Sequence, residues 1–535
     1  MDGQAVLGKV DVLTRFPMVI LHSNSELDKW LAAADGPVHF VPTMGGLHRG
    51  HQQLIRAARG AGVRVLVSVF VNPTQFAAGD DFTTYPRHHD KDAQQAGAAG
   101  ADAIWFPAVE HVYGDVNPAC SHAGSRPPIQ PSLIRTLCGP CRPGHFEGVL
   151  MVMERLLERV QPALVVMGEK DWQQLAVVRQ CLPALRERRC RLLPVPVARE
   201  GDGLPHSSRN DRLSPAQRRQ AALLPQALRD AEAAVRGGER RAMVLEQLAR
   251  TRLDAAGLQV DYAQLVDPLT LEPCPHLDGV ALLGVGVHVG SVRLLDHSFL
   301  LSRKPIIAID GPAGTGKSTV TRLLAARLGL LHLDTGAMYR AVAWLMLEKQ
   351  QPVRSGGALQ QLLETMELRL AWGDHGQQVI RINGVDVSDA IRFPRITATV
   401  PRVAALPEVR QVLTRQQRRF GRQGGLVSEG RDMGTAVFPH AELKVYLTAT
   451  VAERARRRAA DMAQRGQVSP PLATLEAQIA ERDHLDCTRT EAPLRPAEDG
   501  VMVATDRISV EQVVGELEDL FHQRVSRGAW AMRQH

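Results

Sequence analysis

The sequence predicts two α/β units joined end to end, and three observations carry that prediction. Short apolar runs alternate with amphipathic stretches through the first two hundred residues, and the same alternation starts afresh at Pro305–Asp310. Such alternation marks parallel sheets covered by helices on both faces. The third observation is length: 535 residues exceed what one hydrophobic core supports.

In the first unit Val38–Val41, Val63–Val71, Ala103–Phe106 and Ala163–Met167 read as buried strands, with Gln52–Arg59 and Val149–Val160 as helices between them. From about Gly201 the pattern turns helical, rich in Ala, Arg and Gln over Pro215–Arg252. Two β-like runs follow near Asp261–Val266 and Val280–Val292. Residues 18–200 are therefore read as a sheet domain and 201–298 as a smaller α+β subdomain. Ser302-Arg303-Lys304 precedes the apolar strand Pro305–Asp310, so the boundary is placed near Leu295–Lys304, with 1–298 in the first domain and 299–535 in the second.

The balance of 44% hydrophobic and 23% charged residues is that of a globular protein. A net charge of +7, from 64 basic and 57 acidic residues, suits small anionic substrates. A nucleic-acid binder would concentrate its excess in a stripe, so no nucleic-acid partner is expected. Met1–Phe16 carries Asp2, Lys9, Asp11 and Arg15 without an apolar core and does not read as a signal peptide. No apolar run is long enough to cross a bilayer, and no membrane association is expected. Seven cysteines form no disulfide framework, which points to the reducing cytoplasm. Cys138-Gly139-Pro140-Cys141 matches a thioredoxin-type motif, but Arg142–Phe146 reads as a loop without a helix-opening pattern, so redox chemistry is not expected.

The second unit carries a phosphate cradle. Gly311-Pro312-Ala313-Gly314-Thr315-Gly316-Lys317-Ser318 follows a strand and opens a helix at Thr319–Leu328, the context a Walker A loop requires. Gly311, Gly314 and Gly316 let backbone N–H groups turn toward a triphosphate, and Thr319 begins the helix. Lys317 neutralises the outer phosphates and Ser318 ligates Mg²⁺. Three clusters follow: Asp334–Arg340, Glu429–Thr435 and Glu481–Arg489. Each sets arginine beside Asp or Thr, as phosphoryl transfer between two nucleotides needs. Glu453–Arg458 is either part of a lid over ATP or a solvated helix face.

At these residues the chain resembles bacterial cytidylate kinases, from about Lys304 onward, through the D-[ST]-G-x-x-Y-R, G-R-D-M-G-T and R-D-x-x-D-x-x-R motifs. The resemblance implies a P-loop nucleoside monophosphate kinase fold acting on CMP and dCMP. It implies that Arg340, Arg431 and Arg489 hold the CMP phosphate, with Thr335 supporting that site. Arg410 and Asp432 would read the cytosine, and Arg482 with Asp486 the ribose. Two departures are Pro401, where the family often has a base-binding serine, and Leu485, where it often has a basic residue.

In the first unit the strand Val38–Val41 runs into Pro42–His51, and the His48-x-Gly50-His51 spacing puts two imidazoles at a helix start. There N–H groups and the helix dipole already favour phosphate, and histidine donors would stabilise charge growing on an α-phosphate. Gly50 lets a nucleotide approach the backbone. A zinc site is the competing reading, although the motif is not H-E-x-x-H and no third ligand is fixed nearby.

Phe70–Phe76, Tyr85-Pro86-Arg87, Arg142–Phe146, Gly168–Gln174 and Ser207–Asn210 appear in order after that motif. Together they resemble pantothenate synthetases (pantoate–β-alanine ligases) over about Met18–Leu295. The resemblance implies a Rossmann-like nucleotidyltransferase fold, a homodimer through this half, and the substrates ATP, pantoate and β-alanine. Gln75, Gln174 and Arg142 would serve pantoate and β-alanine. ATP would lie on Met44, Gly45, His48, Gly50, His51, Gly168, Glu169, Lys170, Asp171, Ala198, His206, Ser207, Ser208 and Arg209. His51, His48 and Lys170 are the expected catalytic residues of this half, as Lys317 is of the other, and Asp92 is a candidate Mg²⁺ contact. Pro205-His206 depart from the small apolar pair usual before Ser-Ser-Arg. Two other readings compete: a different adenylyl or cytidylyl transferase fused to the kinase, and a P-loop switch. The switch predicts a Walker B carboxylate strand and a basic face, and neither stands out.

Overall fold

Two parallel sheets organise the chain, each built on strands that are apolar toward both covering layers. The computed structural model describes residues 18–535 apart from 61, 77–81, 115–128, 186–189, 374–377, 465, 467, 507 and 526–535. The expectation about Met1–Phe16 lies outside the described residues. By internal packing the chain divides into two units, Met1–Ala222 with His288–Leu295, and Leu223–Val287 with Asp296–His535.

The first unit runs β1 (Val19–Leu21), α1 (Asn24–Ala32), β2 (Val38–Thr43), α2 (Arg49–Ala58), β3 (Arg64–Val69), α3 (His89–Ala99) and β4 (Ala103–Trp105). The short helices α4 (Val109–Tyr113) and α5 (Pro131–Arg135), which the sequence did not announce, precede α6 (His145–Val160). Then come β5 (Leu164–Gly168), α7 (Trp172–Leu185), β6 (Arg191–Val195) and α8 (Pro215–Ala221). Local chemistry sets several ends. Ser23 and Glu26 form a reciprocal cap on α1, and Gly100 closes α3 with a positive φ. The sheet order is β1-β4-β3-β2-β5-β6, all parallel. Chain order reverses between β2 and β5, and in such sheets ligands bind in the crevice beyond the carboxyl ends at the reversal. Those two strands deliver Met44–His51 and Glu169–Asp171.

The second unit opens with α9 (Leu223–Arg236) and α10 (Ala242–Ala255), followed by a sheet in the order β7-β8-β9 of β7 (Gln259–Val266), β8 (Val280–Val289) and β9 (Val292–Leu301), of which His288–Leu295 belongs to the first unit. The expected boundary near Leu295–Lys304 overlaps the C-terminal part of β9, and Leu301 and Phe299 pack into the core that contains β10 (Ile306–Asp310). From β10 the chain passes to α11 (Lys317–Leu328), β11 (Leu331–Asp334), α12 (Thr335–Glu348) and α13 (Gly357–Thr365). A small antiparallel sheet of β12 (Leu368–Trp372), β13 (Gln378–Ile382) and β14 (Val385–Asp386) leads to α14 (Pro394–Ala404) and α15 (Pro407–Gly421). The rest comprises β15 (Leu426–Gly430), β16 (Leu443–Thr448), α16 (Val451–Gln464), α17 (Leu472–Thr488), β17 (Val501–Ala504) and α18 (Val510–Arg524). The parallel sheet has the order β11-β15-β10-β16-β17. Every residue of its middle strand β10 is buried, as the apolar run Ile306–Ile309 predicts. Both halves therefore have the expected α/β architecture.

One expectation is corrected. Arg142–Phe146 does not form a plain loop: Gly144 caps α6 at φ +79°, and His145 and Phe146 are its first helical residues. Apolar spacing from Val149 onward masked the four extra residues His145–Gly148.

Gly148, in the first turn of α6, decides how closely that helix approaches the 3₁₀ turn Pro73–Gln75. A Cβ at Gly148 would lie 2.2 Å from the Thr74 carbonyl oxygen and 2.8 Å from the Gln75 amide nitrogen. Gly148→Ala is expected to destabilise by about 1–3 kcal/mol and to displace Gln75. The measurable outcome is a lowered thermal midpoint with loss of the first half's activity and retention of the second half's.

Candidate active sites

The first site grows from the helix start at α2. His48 is the N-cap, and its Nδ1 accepts the Gly50 N–H at 3.1 Å, while the His48 N–H donates to His51 Nδ1 at 3.3 Å. A nitrogen that accepts carries no proton, so both neutral rings hold theirs on Nε2. Burial and the neighbouring His51, Lys170 and His206 lower the His48 pKa to about 2. Burial and Lys170 lower that of His51 to about 4. The pair therefore stays neutral near pH 7 and presents two N–H donors, with ring centroids 4.1 Å apart.

The surrounding residues come from four strand ends and loops. The His206 ring lies nearly parallel to that of His48 at 6.1 Å, and its buried Nε2 has no hydrogen-bond partner. A Cβ at Gly50 would meet the His48 ring at 2.9 Å and Ala198 at 3.8 Å, and one at Gly46 would meet Ser208 at 3.1 Å, so close approach demands glycine here. Lys170, on the turn after β5, reaches Asp171 at 3.4 Å. Against the cost of burial, Lys170 and Arg209 hold the Asp171 carboxyl below its usual range. Ser207 Oγ accepts the Arg209 N–H at 3.3 Å. Glu169 is buried, and Gly168 sits against Leu54 of α2.

On the other side Gln75 is buried, its amide directed at Met44 Sδ, 3.0 Å away, while its carbonyl oxygen accepts from His145 at 2.9 Å and Arg142 at 3.4 Å. Gln174 is half-buried in the first turn of α7. Asp92 is buried, and its two oxygens accept the N–H groups of Gly46 (3.1 Å) and Leu47 (2.7 Å), which braces the Gly45-Gly46 turn. Among the described residues no set of three His, Cys, Asp or Glu side chains is placed to hold a metal. Cys138 is buried and Cys141 exposed, and neither is in a disulfide.

The second site is a cavity of about 440 Å³ at the carboxyl ends of β10, β11 and β15. Gly314, Gly316, Lys317, Ser318 and Thr319 line one side. Thr335, Arg340, Arg410, Arg431, Asp432, Arg482, Asp486 and Arg489, each singled out from the sequence, line the rest. Gly311 stands behind the cavity. At φ +147° a Cβ there would meet the Leu447 carbonyl oxygen at 2.1 Å, so this glycine seats the loop against β16. Lys317 Nζ donates to the Pro312 carbonyl at 2.6 Å, and burial together with Arg431 drives its pKa well below the lysine range. An anion that enters would favour the charged form of a lysine so placed.

The cations opposite are paired with carboxylates: Arg340 with Asp334 at 2.7 Å, Arg431 with Asp486 at 2.9 Å, and Arg410 with Asp432. Arg340 Nε and Arg489 Nη2 are buried without a hydrogen bond. Burial and neighbouring arginines also lower the pKa values of Arg482 and Arg489. Buried donors of one sign without acceptors suit a phosphate. The run Glu453–Arg458 divides. Arg454 is buried, donates to the Ala313 carbonyl at 3.2 Å and pairs with Asp483, whereas Arg456 and Arg458 are exposed.

Three residues were missed. Tyr339 lines the cavity with the Arg410 guanidinium 5.9 Å from its ring. Asp310, buried at the end of β10, accepts the Met433 and Gly434 N–H groups at 2.8 Å each and so fixes the turn carrying Arg431 and Asp432. Glu429 accepts the Ser318 hydroxyl at 2.7 Å. A carboxylate at the end of a strand beside the P-loop strand is the signal that could have found Glu429.

These two geometries define a pair of nucleotide-dependent enzymes on one chain. The family model for pantoate–β-alanine ligase matches residues 19–299 and that for cytidylate kinase residues 307–523. A bifunctional pantoate ligase/cytidylate kinase from Synechococcus sp. (strain RCC307) is 52% identical over 506 residues, covering 94% of this chain and 98% of that protein. Another, from Parasynechococcus marenigrum (strain WH8102), is 51% identical, covering 96% of this chain and 99% of that protein. The pantothenate synthetase of Thermus thermophilus is 36% identical over 52% of this chain and 98% of its own, with a TM-score of 0.48. The chain belongs to the bifunctional pantoate ligase/cytidylate kinase family. Among the described residues no helix is long and apolar enough to cross a membrane.

The depressed histidine pKa values fix the sign of a pH effect. Below the ordinary histidine pKa near 6.5 the unfolded chain takes up protons that His48 and His51 refuse in the folded state. Stability is therefore lost as pH falls from about 6.5 toward 4, by at most about 1.4 kcal/mol per pH unit for each ring. Calorimetry of the substrate-free protein is expected to show this fall between pH 7 and 5, with a shallower slope in His51→Gln.

Proposed function

We propose that the first half, residues 1–298, joins pantoate to β-alanine through pantoyl adenylate, and that the second, residues 299–535, phosphorylates CMP and dCMP. One observation carries the reading. In each half a helix start at the carboxyl edge of a parallel sheet faces side chains suited to a different phosphorus of ATP.

In the ligase half a pantoate carboxylate oxygen attacks the α-phosphorus, and pyrophosphate leaves. The Nε2–H groups of His51 and His48 donate to oxygens that gain charge in that step, while Lys170, Ser207, Ser208 and Arg209 hold the phosphates. Gln75 and Gln174 offer neutral amides to pantoate, which orient it without repelling its carboxylate. The β-alanine amine then attacks the acyl carbon, forming the amide bond as AMP departs. Arg142, held on the Gln75 carbonyl, lies beside this acyl pocket.

In the kinase half an oxygen of the CMP phosphate attacks the γ-phosphorus and ADP leaves. Arg340, Arg431 and Arg489 turn from carboxylates toward the phosphates, and Arg410 with Asp432 reads the base. Mg²⁺, when bound with the nucleotide, would neutralise charge on the outer phosphates. The Ser318 hydroxyl, an oxygen ligand beside a second oxygen on Glu429, fits such a hard cation. The cytoplasm is the proposed location, and a dimer through the ligase half the proposed assembly.

Separate sites make a double prediction. His51→Ala is expected to lower pantoate- and β-alanine-dependent AMP release by about 100-fold or more while CMP-dependent ADP formation persists, and Lys317→Ala to do the reverse. Loss of both activities in either folded variant would overturn the reading. Because Pro401 lines the cavity without a side-chain donor, UMP is expected to compete better here than in a Pro401→Ser variant, read as the ratio of kcat/KM for CMP and UMP.

A further inference from the structure

The Glu429 carboxylate is shared between two elements. Its Oε2 accepts the Ser318 hydroxyl proton at 2.7 Å, and its Oε1 lies 2.9 Å from His332 Nε2. A carboxylate oxygen only accepts, so Nε2 of His332 carries the proton. Strand register explains the meeting. His332 pairs with Val427 across β11 and β15, and side chains two apart share a face, so Val427 and Glu429 point to the side His332 occupies. Both side chains are largely withdrawn from solvent, His332 at 13% and Glu429 at 6% exposure. The backbone at each is anchored as well. Trp372 Nε1 donates to the His332 carbonyl at 2.8 Å, and Thr335 Oγ1 to the Glu429 carbonyl at 2.7 Å.

Resting on the kinase reading above, we propose that His332 is a positioning residue of the kinase half, holding Glu429 so that Ser318 and Glu429 together present oxygens to the Mg²⁺ of bound nucleotide. The hydroxyl of Ser318 has one proton and two lone pairs. With that proton on Glu429, the lone pairs face the cavity where the cation sits. Without His332, Glu429 is free to rotate toward Arg431 or Lys317 across the same cavity, and the hydroxyl loses its fixed direction. The imidazole touches neither substrate nor cation and acts only through the carboxylate.

The test uses the full chain. In His332→Leu the Mg²⁺ concentration for half-maximal kinase rate is expected to rise about 5- to 10-fold while KM for CMP changes less than 2-fold. Mn²⁺ titrated into the ADP complex and followed by electron paramagnetic resonance is expected to bind 5- to 10-fold more weakly. His332→Gln, which keeps a side-chain N–H, is expected to stay within 2-fold of the parent in both. Should His332→Leu fail to fold by circular dichroism, His332→Asn, too short to reach Glu429, carries the same expectation. Parental Mg²⁺ dependence and Mn²⁺ affinity in the folded Leu or Asn variant would overturn the proposal. Absence of CMP phosphorylation in the parent would instead overturn the kinase reading.

Discussion

The first turn of an α-helix has N–H groups with no partner in the helix, and a buried parallel strand that feeds such a turn aims them at the sheet edge. Most of what this protein does follows from that constraint, which it meets twice. After β2 the imidazole of His48 accepts the Gly50 N–H, and that of His51 accepts the backbone N–H of His48. After β10 the chain winds through glycines of positive φ, and Gly316 begins α11 without any side-chain cap. The first solution leaves two neutral donors at the helix start, and the second leaves an open cradle with a buried lysine. Different capping of the same backbone feature thus separates nucleotidyl from phosphoryl chemistry.

Charge is handled differently in the two halves. In the ligase half the histidines avoid the cost of burying a charge by staying neutral, and the neighbouring cation Lys170 has Asp171 beside it. The kinase half keeps its charges and pairs them: Asp334, Asp432 and Asp486 each hold an arginine. A carboxylate on an arginine is a stand-in for a phosphate, so such pairs keep the cavity preorganised and exchange partners when an anion enters. Asp310 does related work through the backbone by fixing the turn that offers Arg431 and Asp432.

Residues that follow one another at a strand–loop–helix junction are legible without coordinates. The Walker A loop, the HxGH start of α2 and the arginine clusters all follow from spacing, and the thirteen kinase residues that line the cavity among those named are the outcome. Glu429 stands within its cluster without an evident role, because its meaning depends on Ser318, which is 111 residues away in sequence. The brace that Asp92 forms under Gly46 and Leu47 is hidden in the sequence for the same reason. Strand β9 escapes a reading by apolar runs where its polar residues Asp296, His297 and Ser298 interrupt the pattern, although Asp296 and His297 are buried in the folded chain.

The sequence by itself determined the two α/β halves, the two helix starts suited to phosphate and the identities of most groups around them, because these depend on residues close together along the chain. Only the tertiary structure decided which nitrogen of each histidine carries its proton, which carboxylate holds which arginine, and that His332, Glu429 and Ser318 form one chain of hydrogen bonds. Those facts depend on distances between segments that local spacing does not encode, and a hydrogen bond changes its meaning over less than an ångström.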